Sequence, residues 1–245
     1  YISEVSPLQK YITCIFKIDC LIQYKKDGFV YSEEEKAIYF KNASDIFLKG
    51  TNFIPKPLFH IISSKDEGKR IIEISNDMGE VGVVDFNNKE INSFTMFQEK
   101  IVDGHNFAFE PSATAFNFKQ FRNRLLYSFD KAYEFTTLGQ QPEGFFAFAN
   151  GVVIGDEFRP VNEYGIGEVK DQDLKKGKEK IDLFYSPSCS KVNLAGREDD
   201  DSYEGVRSFS YKESELTLSQ WMDLMHKVYG DKSYAGIAFV FAAVF

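Results

Sequence analysis

The chain has 245 residues, of which 43% are hydrophobic and 27% charged, and it carries a formal net charge of −8. That length can bury a large core as one domain or two smaller ones, while the acidic balance excludes a protein whose main business is coating DNA. The 25 Phe and 13 Tyr against a single Trp favour strands and thick helix–sheet packing, and they also supply faces on which bases or sugars can stack. Cys14, Cys20 and Cys189 form no even disulfide framework and no C-x-x-C pair, which reads as reduced thiols in a cytoplasmic protein.

In chain order, residues 1–55 form a leading segment, with an apolar run "YITCIFKIDCLIQY" and "GFVYSEEEKAIYF" as two short strands around an acidic turn. From Pro57, "PLFHIISS", "KRIIEIS" and "EVGVVDF" are strand-like runs separated by "KDEG" and "NDMG", which predicts an antiparallel meander. Ser93 is placed to cap a short helix with Phe94, Phe97 and Ile101 on one face and Gly104 at its end. A strand "NFAFE" is expected next, then a helix on which Phe118, Phe121, Leu125 and Phe129 recur at helical spacing.

Further on, "FFAFANGVVIG" predicts a hairpin with Asn150-Gly151 in a type I′ turn. "DQDLKKGKEK" and "REDDDSYEG" read as charged loops, and "IDLFYS" and "VRSFSY" as strands. Thr217 and Gln220 stand at capping-box spacing before a helix faced by Leu218, Trp221, Met222, Met225, Val228 and Tyr229 and ended by Gly230. Ser233 can cap a last helix whose apolar run, Tyr234–Phe245, is too short to span a bilayer. That helix lacks a stop signal and reads as leading into further sequence. Strands and helices do not alternate as βαβ units, so the fold class is α+β. The expected domain occupies 56–245, with subdivisions near 132 and 212.

Chemistry is sparse in the sequence. There is no G-x-x-x-x-G-K-[ST] loop, and "YGIGEV" at 164–169 imitates a dinucleotide fingerprint without its third Gly. His60, His105 and His226 have no metal-ligand spacing. "EDDD" at 198–201 reads as a solvated loop before a cation site, and Ser188-Cys189 lacks a local base. Two basic clusters are the candidate nucleic-acid or partner contacts. One comprises Lys119, Arg122, Arg124 and Lys131, with Arg122 projecting among Phe118, Leu125 and Phe129. Either Arg122 snorkels or makes an internal ion pair, or it contacts a phosphate. The other comprises Lys175, Lys176 and Lys178, interleaved with Asp171, Asp173 and Glu179.

Several stretches resemble a known family: "NFIPKPLFHI", "KRIIEISNDMGEVGVVDF", "TLGQQPEGFFAFANGVV", "EYGIGEV" and "LTLSQWMDLMHKVYGDKSYAGIAFVFAAVF". They are similar to the region preceding the ATPase motor in primase–helicases of bacteriophages and integrating elements, especially from Bacteroides-like bacteria. The resemblance covers roughly residues 50–245. Leu138-Gly139, "PEGFFAFANG" at 142–151 and Trp221 through Tyr229-Gly230 carry most of it.

What the resemblance implies is a non-catalytic module of a DNA primase–helicase, positioning DNA or neighbouring subunits for a motor beyond its C-terminus. ATP and Mg²⁺ are implied for the parent motor and no cofactor for this segment. The implied partners are that motor, an upstream primase module, locally bound DNA and further subunits of a ring, without a membrane. Two rival readings from other classes are an aromatic-rich domain binding a small ligand or carbohydrate, and a metal-dependent hydrolase using the acidic loop.

Overall fold

The acidic turn at 33–36 is the first element that local chemistry explains. In the computed structural model, which describes residues 24–44, 46–64, 67–135, 137–169, 183–194 and 203–244, Ser32 Oγ accepts the Glu35 N–H at 3.2 Å. This turn pairs β1 (Val30–Ser32) with β2 (Ala37–Lys41), and β3 (Phe47–Lys49) completes a three-stranded antiparallel sheet. Thr51, fully buried, accepts the Ile38 N–H at 2.9 Å and donates to the Phe53 carbonyl at 2.6 Å. The apolar run at 11–23, the lysine cluster at 170–182 and the acidic run at 198–201 lie outside the described residues.

The chain divides into two units, Tyr1–Ile62 with Asp66–Lys131, and Ser63–Lys65 with Ala132–Phe245. In the first, β4 (Ile54–Ile62), β5 (Lys69–Ser75) and β6 (Val81–Asn87) form the expected antiparallel meander. Asn76 closes the β5–β6 turn by accepting the N–H groups of Met78 (3.1 Å) and Glu80 (2.9 Å), as a side chain that mimics a backbone turn does. Period-two alternation sends Ile72, Ile74, Val84 and Phe86 to the core face.

Two helices follow at once, because Asn87 and Ser93 cap them. Asn87 accepts from Lys89 and Glu90 while Glu90 reaches back to the Asn87 N–H, a capping box for α1 (Asn88–Asn92). Ser93 accepts the Met96 N–H and starts α2 (Phe94–Asp103). α3 (Ala115–Leu126) begins at Thr114, whose hydroxyl accepts the Asn117 N–H. Phe97 and Ile101 from α2 meet Phe118, Phe121 and Leu125 from α3 in one core. Phe97 stacks on Phe86 at 4.4 Å and meets Phe109, Phe118 and Phe121 closer to edge-on, geometries that add to plain area burial. "NFAFE" forms no strand; its one sheet-like contact is an isolated bridge from Phe109 to Thr51.

β7 (Asp130–Glu134) starts at the end of the first unit; within the second, its Tyr133 and Glu134 pair in parallel with β13 (Leu183–Tyr185), and β13 pairs antiparallel with β12 (Ile166–Glu168). A separate four-stranded sheet has the order β11-β10-β9-β8, from β8 (Gly139–Gln140), β9 (Phe146–Phe148), β10 (Gly151–Ile154) and β11 (Glu157–Pro160). The β9–β10 hairpin forms, but its turn residues are Ala149 and Asn150. Gly151 already pairs with Phe148, and neither Asn150 nor Gly151 has the positive φ that a type I′ turn requires. Asn150 is used otherwise: its side chain accepts the Tyr211 N–H (2.8 Å) and donates to the Tyr211 carbonyl (2.9 Å).

"VRSFSY" is likewise not a strand, since Glu204–Arg207 turns into the short helix α5 after α4 (Lys191–Leu194). The side chain of Asn150 and the N–H of Ala149, bonded to the Phe209 carbonyl at 3.0 Å, supply the sheet-like pairing instead. The unit ends on a helical pair, α6 (Leu218–Tyr229) and α7 (Lys232–Val244). Thr217 and Gln220 make the expected capping box, and Gly230 (φ 58°) breaks the chain between the helices. Ser233 does not cap α7: it lies inside the first turn, buried, and its Oγ has no hydrogen-bond partner. The fold is α+β, and no described helix is long and apolar enough to cross a membrane.

Candidate nucleic-acid contact surface

Helix α3 separates its basic residues into different environments. Lys119 is exposed, whereas Phe118 and Phe121 on either side of it are buried. Arg122 is half-buried, as its place on the apolar face requires. Its Nη1 donates to Asn92 Oδ1 at 2.9 Å and its Nη2 to Asn123 Oδ1 at 2.6 Å, while Nε is buried without a partner. Of the two readings of Arg122, the local one fits these contacts, with amides in place of an ion-pair carboxylate.

Arg124 also has a partner. Its Nε lies 2.8 Å from Asp27 Oδ1, and the Asp27 side chain is only 8% exposed. The helical projection puts Arg124 away from the apolar face and cannot show that a carboxylate from far upstream covers it there. Tyr31 reports the same environment: burial pushes its hydroxyl up to about 12, with Asp27 adding to the rise and Arg124 opposing it. Lys131 is exposed. Lys175, Lys176 and Lys178 fall outside the described residues. So two of the four helix-side candidates, Lys119 and Lys131, present charge to solvent, and Arg122 and Arg124 hold structure together.

The other chemistry-bearing motifs resolve into packing. Gly165 adopts φ 76° in the turn before β12, and a Cβ there would collide with the Ser186 carbonyl oxygen, so this glycine serves a tight turn. Ser188 is buried with its hydroxyl 3.1 Å from that of Ser186, which in turn bonds the Ala149 carbonyl at 2.6 Å. His105 sits 3.7 Å from Glu80, and the His226 ring lies against Tyr234. Among the described residues no group of three or more His, Cys, Asp or Glu could hold a metal ion. A shallow depression of 530 Å³ beside α2 is lined by Glu90, Glu99 and Asp103 with Lys100, Met96 and Val102, a predominantly acidic wall unsuited to phosphate. Phe148 and Phe158 are half-buried, and they stack on Phe209 and Tyr211 at 5.3 and 4.3 Å. Each of these rings has one face covered by its partner.

The surface that stands apart is the helical pair. Among the described side chains of α6 and α7, Ser233 and Ile237 alone are buried. Val228 (70% exposed) and Phe239 (75%) face solvent, together with Leu218, Leu224, Tyr229, Tyr234, Val240 and Phe241. Large apolar side chains thus stand exposed along both helices of the pair. No protein-family model matches the chain, and no curated protein matches its sequence.

Proposed function

We propose that this chain is a non-catalytic module of a phage or mobile-element DNA primase–helicase. In that reading it holds DNA or neighbouring subunits in place for an ATPase motor encoded in the same reading frame. The observation that carries the reading is the helical pair. The stretch with the longest resemblance to the pre-motor region, 216–245, also holds many of the exposed large apolar side chains, among them Leu218, Val228, Tyr229 and Phe239. A module that works by docking needs such a face and needs no catalytic constellation.

The gene provides the test. The reading frame is expected to encode a G-x-x-x-x-G-K-[ST] loop after Phe245, and the chain alone is expected to show no heat of ATP binding at micromolar concentrations. Supplied as a separate protein, the motor segment should bind the wild-type chain and fail to bind Phe239→Asp. A frame without a phosphate loop, or turnover of ATP by this chain alone, would overturn the proposal.

A further inference from the structure

The outer face of α3 carries an aromatic ring at each end. Phe116 is 67% exposed and Tyr127, the C-cap residue, 86%. At about 100° per residue the two positions differ by only about 20°, and a rise of about 1.5 Å per residue sets them roughly 16 Å apart. Lys119 and Asn123, both exposed, stand between them on the same face, at the three- and four-residue steps that make helix neighbours. A lone exposed aromatic is ordinary on a protein surface. Two on one stripe with a cation between them match what a single strand of nucleic acid needs, rings for base faces and ammonium groups for phosphates.

Further charge comes from upstream in the chain. Asp27 Oδ1 lies 2.8 Å from Arg124 Nε, and Gly28 approaches α3 so closely that a Cβ there would stand 2.8 Å from Gln120 Nε2. These contacts hold the turn of residues 24–28 along the stripe, on the side away from Lys119, and Lys25 and Lys26 of that turn are exposed. The Asp27 carboxylate is 8% exposed and faces a guanidinium, so little of its charge opposes a phosphate. Lys25, Lys26 and Lys119 make no salt bridge with a described residue, unlike Lys56, Lys69 and Lys100. We infer that Phe116, Lys119 and Tyr127, with Lys25 and Lys26, form a binding surface for single-stranded nucleic acid.

The rings choose the occupant. Bases stack on aromatic side chains when they are unpaired and splayed out, which a duplex does not offer. An acidic peptide would satisfy the lysines and leave both rings without a flat partner. The inference rests on the nucleic-acid side of the reading above, and the two fail separately. A reading frame with a phosphate loop and a chain that binds no strand would sink this surface alone. Strand binding by a chain whose frame lacks that loop would sink only the primase–helicase reading.

The test is fluorescence anisotropy on the whole chain at low salt. The probes are a short labelled oligothymidylate, an abasic strand of the same length, a duplex and an oligoglutamate. Phe116→Ala and Tyr127→Ala should each weaken oligothymidylate binding at least about fivefold and leave abasic-strand binding unaltered. Lys119→Glu should weaken both strands about two- to fivefold; Lys227→Glu, the same charge change on α6, should alter neither. All four positions are exposed, so thermal midpoints should stay at the wild-type value, which separates binding from folding. No binding of oligothymidylate, or ring variants that bind like wild type, would overturn the inference. So would an abasic strand, duplex or oligoglutamate held as tightly as oligothymidylate.

Discussion

Arg124 and Asp27 show how a single contact changes the meaning of a candidate residue. Asp27 is nearly buried, and its Oδ1 has the Arg124 guanidinium at 2.8 Å as an ionic neighbour but no directed hydrogen bond. Arg124→Glu would set a second carboxylate beside it, and urea unfolding should register a loss of about 1–3 kcal/mol. A variant as stable as wild type would refute the pairing. Tyr31 adds a pH dependence. Its hydroxyl titrates at about 12 in the fold against 10.0 ordinarily, so between those values the folded state keeps a proton that the unfolded chain has lost. The stabilisation is therefore complete below pH 10 and declines as pH rises towards 12, by up to about 2 kcal/mol. Tyr31→Phe should flatten the fall in urea midpoint between pH 9.5 and 11.5; an unchanged slope would show that Tyr31 is not its source.

At the scale of elements, the helical pair separates packing from display. Ile237 is 5% exposed and Phe239 75%, although they stand two residues apart on one helix. Ile237→Ala should cost about 2–4 kcal/mol locally and speed amide hydrogen exchange in α6 and α7. Phe239→Ser should shift stability by less than about 0.5 kcal/mol while lowering the binding of an apolar dye. Equal effects of the two would mean that α7 does not pack on α6 as described. Local signals made much of this architecture legible: alternation in β4–β6, the Asn76 turn, and the caps at Ser93 and Thr217 all act within a few residues. What escaped depends on partners remote in sequence. "VRSFSY" has strand composition, yet the Asn150 amide occupies the Tyr211 backbone groups that a strand would pair. Arg124 looks free until Asp27 is folded against it, and His60 meets Arg70 only once the β4–β5 register, with its shift between Pro57 and Phe59, is known.

Across the whole molecule, charge decides how this chain can meet nucleic acid. A net charge of −8 repels the phosphate backbone at long range, so attraction has to come from a few local cations. Many of the described lysines already face carboxylates: Lys36 with Glu33, Lys56 with Glu73, Lys69 and Lys100 with Asp85, Lys191 with Glu163. With only two or three phosphates neutralised, at about 0.7 counterions released for each on a single strand, the slope of log K against log salt should be about −1.4 to −2.1. Fluorescence anisotropy with a labelled oligothymidylate between 50 and 200 mM salt reads it directly, and Lys131→Glu should make the slope shallower by roughly one contact's share. A much steeper slope would mean a broad basic surface that the described residues do not provide. Binding indifferent to salt would shift the contact from phosphate to stacking, for which exposed rings such as Phe116 and Tyr127 offer faces.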